Sequence, residues 1–81
     1  ILSVFYENGE IFLAFDLSEK KDLRISVYNV IGEKIMVQDM KQIQKNKIKL
    51  RMTHFVPGVY VALADMGDAV IARKINIQQR K

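Results

Sequence analysis

The fold is decided by Phe55-Val56-Pro57-Gly58-Val59-Tyr60-Val61-Ala62-Leu63-Ala64-Asp65 and, past Met66-Gly67-Asp68, by Ala69-Val70-Ile71-Ala72-Arg73-Lys74-Ile75-Asn76-Ile77. Both runs have strand composition, and Asp65-Met66-Gly67-Asp68 between them has turn chemistry. The pattern predicts a β-hairpin. Pro57 has no amide hydrogen to give to a ladder, so the first strand starts after it. Alternation puts Val59, Val61 and Leu63 on one face and Tyr60, Ala62 and Ala64 on the other. The larger aliphatic set is the expected core face. The second set is the expected outer face, with the Tyr60 hydroxyl in water. In the second run Val70 and Ala72 share one parity and Ile75 and Ile77 the other, with Arg73 and Lys74 at the break. A β-bulge there would bring both apolar sets to one face.

Upstream, the β-rich runs Ile1–Tyr6 and Ile11–Phe15 enclose Asn8-Gly9, the strongest short hairpin signal. Ile11, Leu13 and Phe15 share one face; Phe12 and Ala14 share the other. Asp16–Asp22 is polar and reads as a loop. Leu23–Val30 alternates, with Leu23, Ile25 and Val27 inward and Arg24, Ser26 and Tyr28 outward. Asn29-Val30-Ile31-Gly32 reverses the chain, Gly32 supplying a conformation that a β-branched residue resists. Glu33–Gln38 is the next strand, with Ile35 and Val37 inward. Asp39–Asn46 reads as a polar loop with apolar anchors. Lys47–Met52 sets Ile48, Leu50 and Met52 against Lys47, Lys49 and Arg51, and such a cationic face discourages unwanted edge pairing. Seven short strands and no convincing helix predict an all-β domain, most simply a seven-stranded antiparallel immunoglobulin-like β-sandwich; a small closed barrel is the alternative.

The chain has 81 residues and 49% hydrophobic content, which suits one domain over 1–81 with one core. No Cys is present, so neither a disulfide nor a thiolate metal site staples it. The formal charge is +4 and uneven: acids predominate from Glu7 to Asp22, and cations from Lys34 to Arg51. A basic surface suits nucleic acid, an anionic glycan or an acidic protein; the simpler reading is a solvated face. No apolar run reaches membrane-span length. The chain starts at Ile1 rather than Met, so it is expected to be one piece of a longer protein.

Little in the chain points to chemistry. His54 stands alone, without a second His or a Cys to complete a zinc site. Ser3, Ser18 and Ser26 have no nucleophile motif around them. Asp65 and Asp68 are two carboxylates, too few for a calcium cage, and read as turn formers. The glycines are scattered singly, not gathered in a phosphate loop. The dense Lys segment has no aromatic residues, against nucleic-acid stacking. The expectation is a non-enzymatic module without cofactor or metal that presents a surface.

A resemblance sharpens this. Leu23-Arg24-Ile25-Ser26-Val27-Tyr28-Asn29-Val30-Ile31-Gly32-Glu33-Lys34-Ile35 resembles the middle of type IX secretion C-terminal sorting domains (type A): an apolar strand, Tyr-Asn or Tyr-Asp, two residues, Gly, another strand. Phe55-Val56-Pro57-Gly58-Val59-Tyr60-Val61 resembles their Leu-x-x-Gly-x-Tyr segment, with Phe55 in the Leu place. Gly67 and Lys74-Ile75-Asn76-Ile77 resemble the closing turn and terminal strand. The chain departs from the family in lacking an opening Asn-Pro motif and in Asn76. The resemblance implies the C-terminal module of a larger secreted protein, carried through the periplasm to the cell surface or beyond. It implies an upstream cargo domain, an outer-membrane translocon and a sortase-like peptidase as partners. It implies neither nucleic acid nor membrane insertion, and leaves room for an edge-strand dimer. Gly58, Tyr60, Gly67, Arg73, Lys74, Ile75, Ile77, Arg80 and Lys81 are the recognition residues it marks. The competing reading is an adhesive or carbohydrate-binding β-sandwich, which needs an exposed aromatic platform or a metal.

Overall fold

A computed structural model describes residues 2–50 and 56–77. His54, Phe55, Arg51 and Met52 lie outside these residues, as do Arg80 and Lys81. Five antiparallel strands form one sheet: β1 (Leu2–Glu7), β2 (Glu10–Tyr28), β3 (Lys34–Lys49), β4 (Gly58–Asp65) and β5 (Val70–Ile77). The order is β1-β2-β4-β5, with β3 along the other edge of β2. The all-β, antiparallel expectation holds. The seven expected strands are five because two pairs of them fuse, and the described residues form one sheet instead of a two-sheet sandwich.

Fusion occurs where loops were expected. Asp16–Asp22 continues β2, and Asp39–Asn46 continues β3. The two stretches are polar but complementary. Asp16 lies 3.9 Å from Lys45, and Asp22 lies 3.8 Å from Lys41. Arg24 and Asp39, directly opposed, meet through two guanidinium–carboxylate contacts of 2.8 and 3.3 Å. The ladder bends at these points. Asp16 faces Lys45 but Lys21 faces Ile43, so β2 carries extra residues there; then Leu23 faces Met40, so β3 carries one. Gln42, on the β3 side, takes φ +52 and gives both its backbone and side-chain N–H to Asp22 Oδ1, at 3.1 and 3.2 Å.

The bent β2 serves two halves. Its first half lies between β1 and the end of β3, and its second between β4 and the start of β3. Asn8 and Gly9 have φ +53 and +81, the type I′ geometry the sequence predicts. Leu2, Val4, Ile11, Leu13 and Phe15 of the first half and Leu23, Ile25, Val27, Tyr60, Ala62, Ala64, Ile75 and Ile77 of the second are buried in one cluster.

Several inward assignments change. In β4, Tyr60, Ala62 and Ala64 form the core face, while Val61 is 38% exposed. The register sets Ala62 beside Val27 and Ala64 beside Ile25, so small residues let these large neighbours fill the interior. The β4–β5 ladder runs without a register shift from Gly58–Ile77 to Asp65–Val70, so Arg73 and Lys74 make no bulge. Arg73 shares the parity of Ile75 and Ile77, and Val70 is exposed. In β3 the core side belongs to Met36 and Met40, opposite Val27 and Leu23, while Ile35 and Val37 are exposed. Val37 opposes the outward Ser26, and Ile35 falls in the register shift between Val27–Met36 and Tyr28–Lys34. Ser26 points outward yet is buried, flanked by Val37 and Leu63 on the neighbouring strands.

The face assignment is testable by urea unfolding. Val61→Thr should change stability by no more than about 0.5 kcal/mol, whereas Ala64→Leu should cost about 1–3 kcal/mol by crowding Ile25. The opposite order would return the valines to the core. Acid should also weaken the ladder. Hydrogen bonds from Gln42 hold the Asp22 carboxyl below its ordinary 3.8, and the Arg24 contacts do the same for Asp39. Each folded value is the lower one. The stabilisation is therefore present above the ordinary value and is lost as pH falls through the folded one. The unfolding midpoint should hold near neutrality and fall below about pH 4, less steeply in Asp22→Asn; equal slopes would remove Asp22 from the account.

Candidate functional site

The residues marked in the sequence that fall within the described range lie on the β4–β5 hairpin, and the register shows where they stand. Tyr28 faces Val61, and Val61 faces Lys74. The β2–β3 turn, the start of β4 at Gly58 and the end of β5 at Ile77 therefore share one pole of the second half. The β4–β5 turn with Gly67 stands at the opposite pole. The three stretches that carried the resemblance thus split: two strand ends and a turn meet at one pole, and the closing turn does not.

Most marked residues hold the fold. Tyr60 is 5% exposed beside Ile75, and its hydroxyl donates to the Val56 carbonyl four residues upstream, tying the strand to its own entry. Gly58 begins β4 at φ +152 and Gly67 sits in the turn at φ +88. A Cβ at either position would meet no atom within 4 Å, so glycine is required by backbone conformation and not by space. The turn is closed by Gly67 N–H on Asp65 Oδ1 at 2.9 Å and Met66 N–H on the Ala69 carbonyl at 2.9 Å. Asp68 pairs with Lys21 at 2.9 Å, and that contact holds its carboxyl below the ordinary range and raises the Lys21 ammonium. Both turn carboxylates therefore have structural partners.

Ile75 and Ile77 are core residues. Arg73 Nε donates to the Leu2 carbonyl at 3.0 Å, fastening β5 to β1. Lys74 is exposed, on the opposite face of β5. Strand β5 is a sheet edge and pairs with β4 alone. Among the marked residues within the described range, Arg73 and Lys74 have exposed side chains, while Tyr60, Ile75 and Ile77 are buried.

The turn from Asn29 to Glu33 is more than a reversal of the chain. Asn29 organises it: its Oδ1 accepts from Ile31 and Glu33 N–H at 3.1 and 2.9 Å, and its Nδ2 donates to Glu33 Oε1 at 2.8 Å. Val30 and Ile31 then stand in solvent. Two aliphatic residues inside a turn were the available signal.

Elsewhere, charges are largely matched. A pocket of about 390 Å³ at the β4–β5 turn pole is lined by Asp22, Arg24, Asp39, Lys41 and Asp65 among others, and these pair with one another or with turn amides. Phe5 and Phe12 stack with centroids 5.7 Å apart on the outer face of the first half. Lys47 Nζ lies 5.5 and 4.7 Å from the two centroids, so the ring platform a glycan would need is already capped.

With this geometry in place, comparison identifies the family. The model for secretion system C-terminal sorting domains matches residues 7–78, and the chain belongs to that family. It is a type IX secretion sorting domain, a class that is not normally catalytic and that implies an upstream cargo, a secretion machinery and a destination at the cell surface or outside. Comparison with curated proteins and with solved structures gave no match.

If Tyr60 serves the fold, Tyr60→Phe should lower stability by about 1 kcal/mol, the net worth of one hydrogen bond. Urea unfolding with circular dichroism reads this, and an unchanged midpoint would make the hydroxyl dispensable to the fold.

Proposed function

We propose that this domain is the C-terminal sorting signal of a larger secreted protein. It is read in the periplasm by the outer-membrane translocon of type IX secretion and removed by a sortase-like peptidase as the cargo reaches the surface. Family membership over residues 7–78 carries the reading. The hairpin supports it physically. Strand β5 is the last strand among the described residues and a sheet edge, so a receptor strand can add to it through main-chain hydrogen bonds. Exposed Lys74 beside that edge, with Arg80 and Lys81 further along the chain, supplies charge for selection. Gly58, Tyr60, Gly67, Ile75 and Ile77 act by holding the hairpin in the form that is read. The same edge offers a route to an edge-strand dimer.

A transport assay tests this. Residues 1–81 are fused behind a periplasm-directed fluorescent reporter in a host with the pathway. Removing Lys74–Lys81 would also strip Ile75 and Ile77 from the core, so the informative variant is Lys74→Ala with only 78–81 deleted. The full fusion should reach the surface or medium. The folded variant should be exported at least about tenfold less, equivalent to 1.4 kcal/mol of recognition. Periplasmic retention of the folded full fusion would defeat the sorting reading. Equal export of both would remove the terminal cations from recognition.

A further inference from the structure

We infer that Val30 and Ile31, at the tip of the β2–β3 turn, form the hydrophobic contact by which an apolar cleft on a protein of the secretion machinery reads this domain. The inference rests on the sorting reading above and gives it a site. The two side chains are 77% and 76% exposed, on consecutive residues at a convex tip. The turn does not need them: Asn29 and Gly32 make it, and polar residues would serve as well at the two intervening positions. Nor are they free to fold away. Asn29 Oδ1 holds the Ile31 and Glu33 amides, the Gly32 N–H donates to the Asn29 carbonyl at 3.1 Å, and Gly32 takes φ +89. A pre-ordered apolar pair loses little freedom on binding.

Position favours the machinery as the partner. The tip shares its pole with Val56, itself 72% exposed, and with the end of β5 at Ile77. A receptor engaging the terminal strand meets the tip in the same encounter. A protruding pair also suits a concave protein site better than a lipid surface. Val30 and Ile31 have no aromatic residue between or directly beside them, and the adjacent Glu33 and Lys34 balance each other, so no net charge at the tip selects an anionic headgroup. On a second copy of the chain, the pocket of about 390 Å³ lined by paired charges is no complement for the tip; the one of about 280 Å³ beside Ala14 and Phe15 is the site a dimer would use, and the oligomeric state measured below separates that case.

The test uses the full reporter fusion with Val30→Ser and Ile31→Ser together. Both residues are exposed, so the urea midpoint should not move. Export should fall at least about tenfold, and the aliphatic exchange Val30→Ile with Ile31→Val should restore it. Wild-type export from the folded serine variant would overturn the inference and leave the sorting reading standing. Retention of the unaltered fusion would overturn both. Two further measurements compare the purified wild-type and serine domains: sedimentation with phosphatidylglycerol vesicles, and oligomeric state by analytical ultracentrifugation. Vesicle binding or dimerisation present in the wild type and lost in the serine variant would assign the tip to a membrane or a second copy, and would also overturn the inference.

Discussion

Everything in this fold depends on two polar segments, Asp16–Asp22 and Asp39–Asn46, pairing with each other. Each alone looks like a loop. Opposed, they place Asp16 by Lys45 and Asp22 by Lys41, and outside them Glu10 of β2 lies by Lys49 at 3.4 Å and Glu7 of β1 by Lys47 at 3.5 Å. All these pairs are exposed, and exposed pairs contribute little stability one at a time. Their effect is on choice of partner and register, since like charges opposed across strands are unfavourable. Because the pairing survives the bend, β2 remains one strand, and one strand can border β1, β3 and β4. Two half-sheets joined only by loops would not be bound to share a core; here both halves bury into the same cluster.

The acid-rich and base-rich blocks thus have an internal explanation. The excess of cations from Lys34 to Arg51 suggested a surface for anions. Within the described residues, much of that charge is met by the chain's own carboxylates, and Lys47 additionally caps the Phe5–Phe12 stack. Charge counted along a sequence measures surface potential only when partners are remote, and antiparallel pairing makes distant segments neighbours.

What could be read from the sequence was local chemistry. Asn8-Gly9 demanded positive φ and took it; Leu23, Ile25 and Val27 alternate against polar residues and are buried. Each expected strand run overlaps a strand, but Asn29, Val30, Glu33, Leu50 and Ala69 at the ends of these runs lie outside the strands. Assignments failed where both faces are apolar. Val59, Val61 and Leu63 exceed Ala62 and Ala64 in hydrophobicity, and hydrophobicity alone put them inside. The deciding facts were non-local: Ala62 and Ala64 lie beside Val27 and Ile25 in the register, and the buried Tyr60 finds the Val56 carbonyl for its hydroxyl. Arg73 misled for a related reason. A cation at a core parity suggested an irregular strand, yet β5 is an edge, and the long side chain reaches the Leu2 carbonyl without disturbing the ladder.

The family pattern and the exposed surface are therefore not the same set of residues. Tyr60, Gly58 and Gly67 carry the resemblance and are explained by burial and backbone angle. A residue needed to fold the signal is needed for the signal to be read, so loss of export on changing it cannot distinguish the two roles. Exposed residues separate them, because their substitution leaves the core intact. In the second half they include Lys74 on β5 and the aliphatic pair that Asn29 and Gly32 hold in solvent, beside the exposed Ile35, Val37, Val56, Val61 and Val70. They lie on the same half of one sheet, with the tip and the end of β5 at one pole. That arrangement follows from the register that sets Tyr28, Val61 and Lys74 in a row. The β2–β4 and β4–β5 pairings that close the second half of the core are thus also what bring the β2–β3 turn to the same pole as the end of β5.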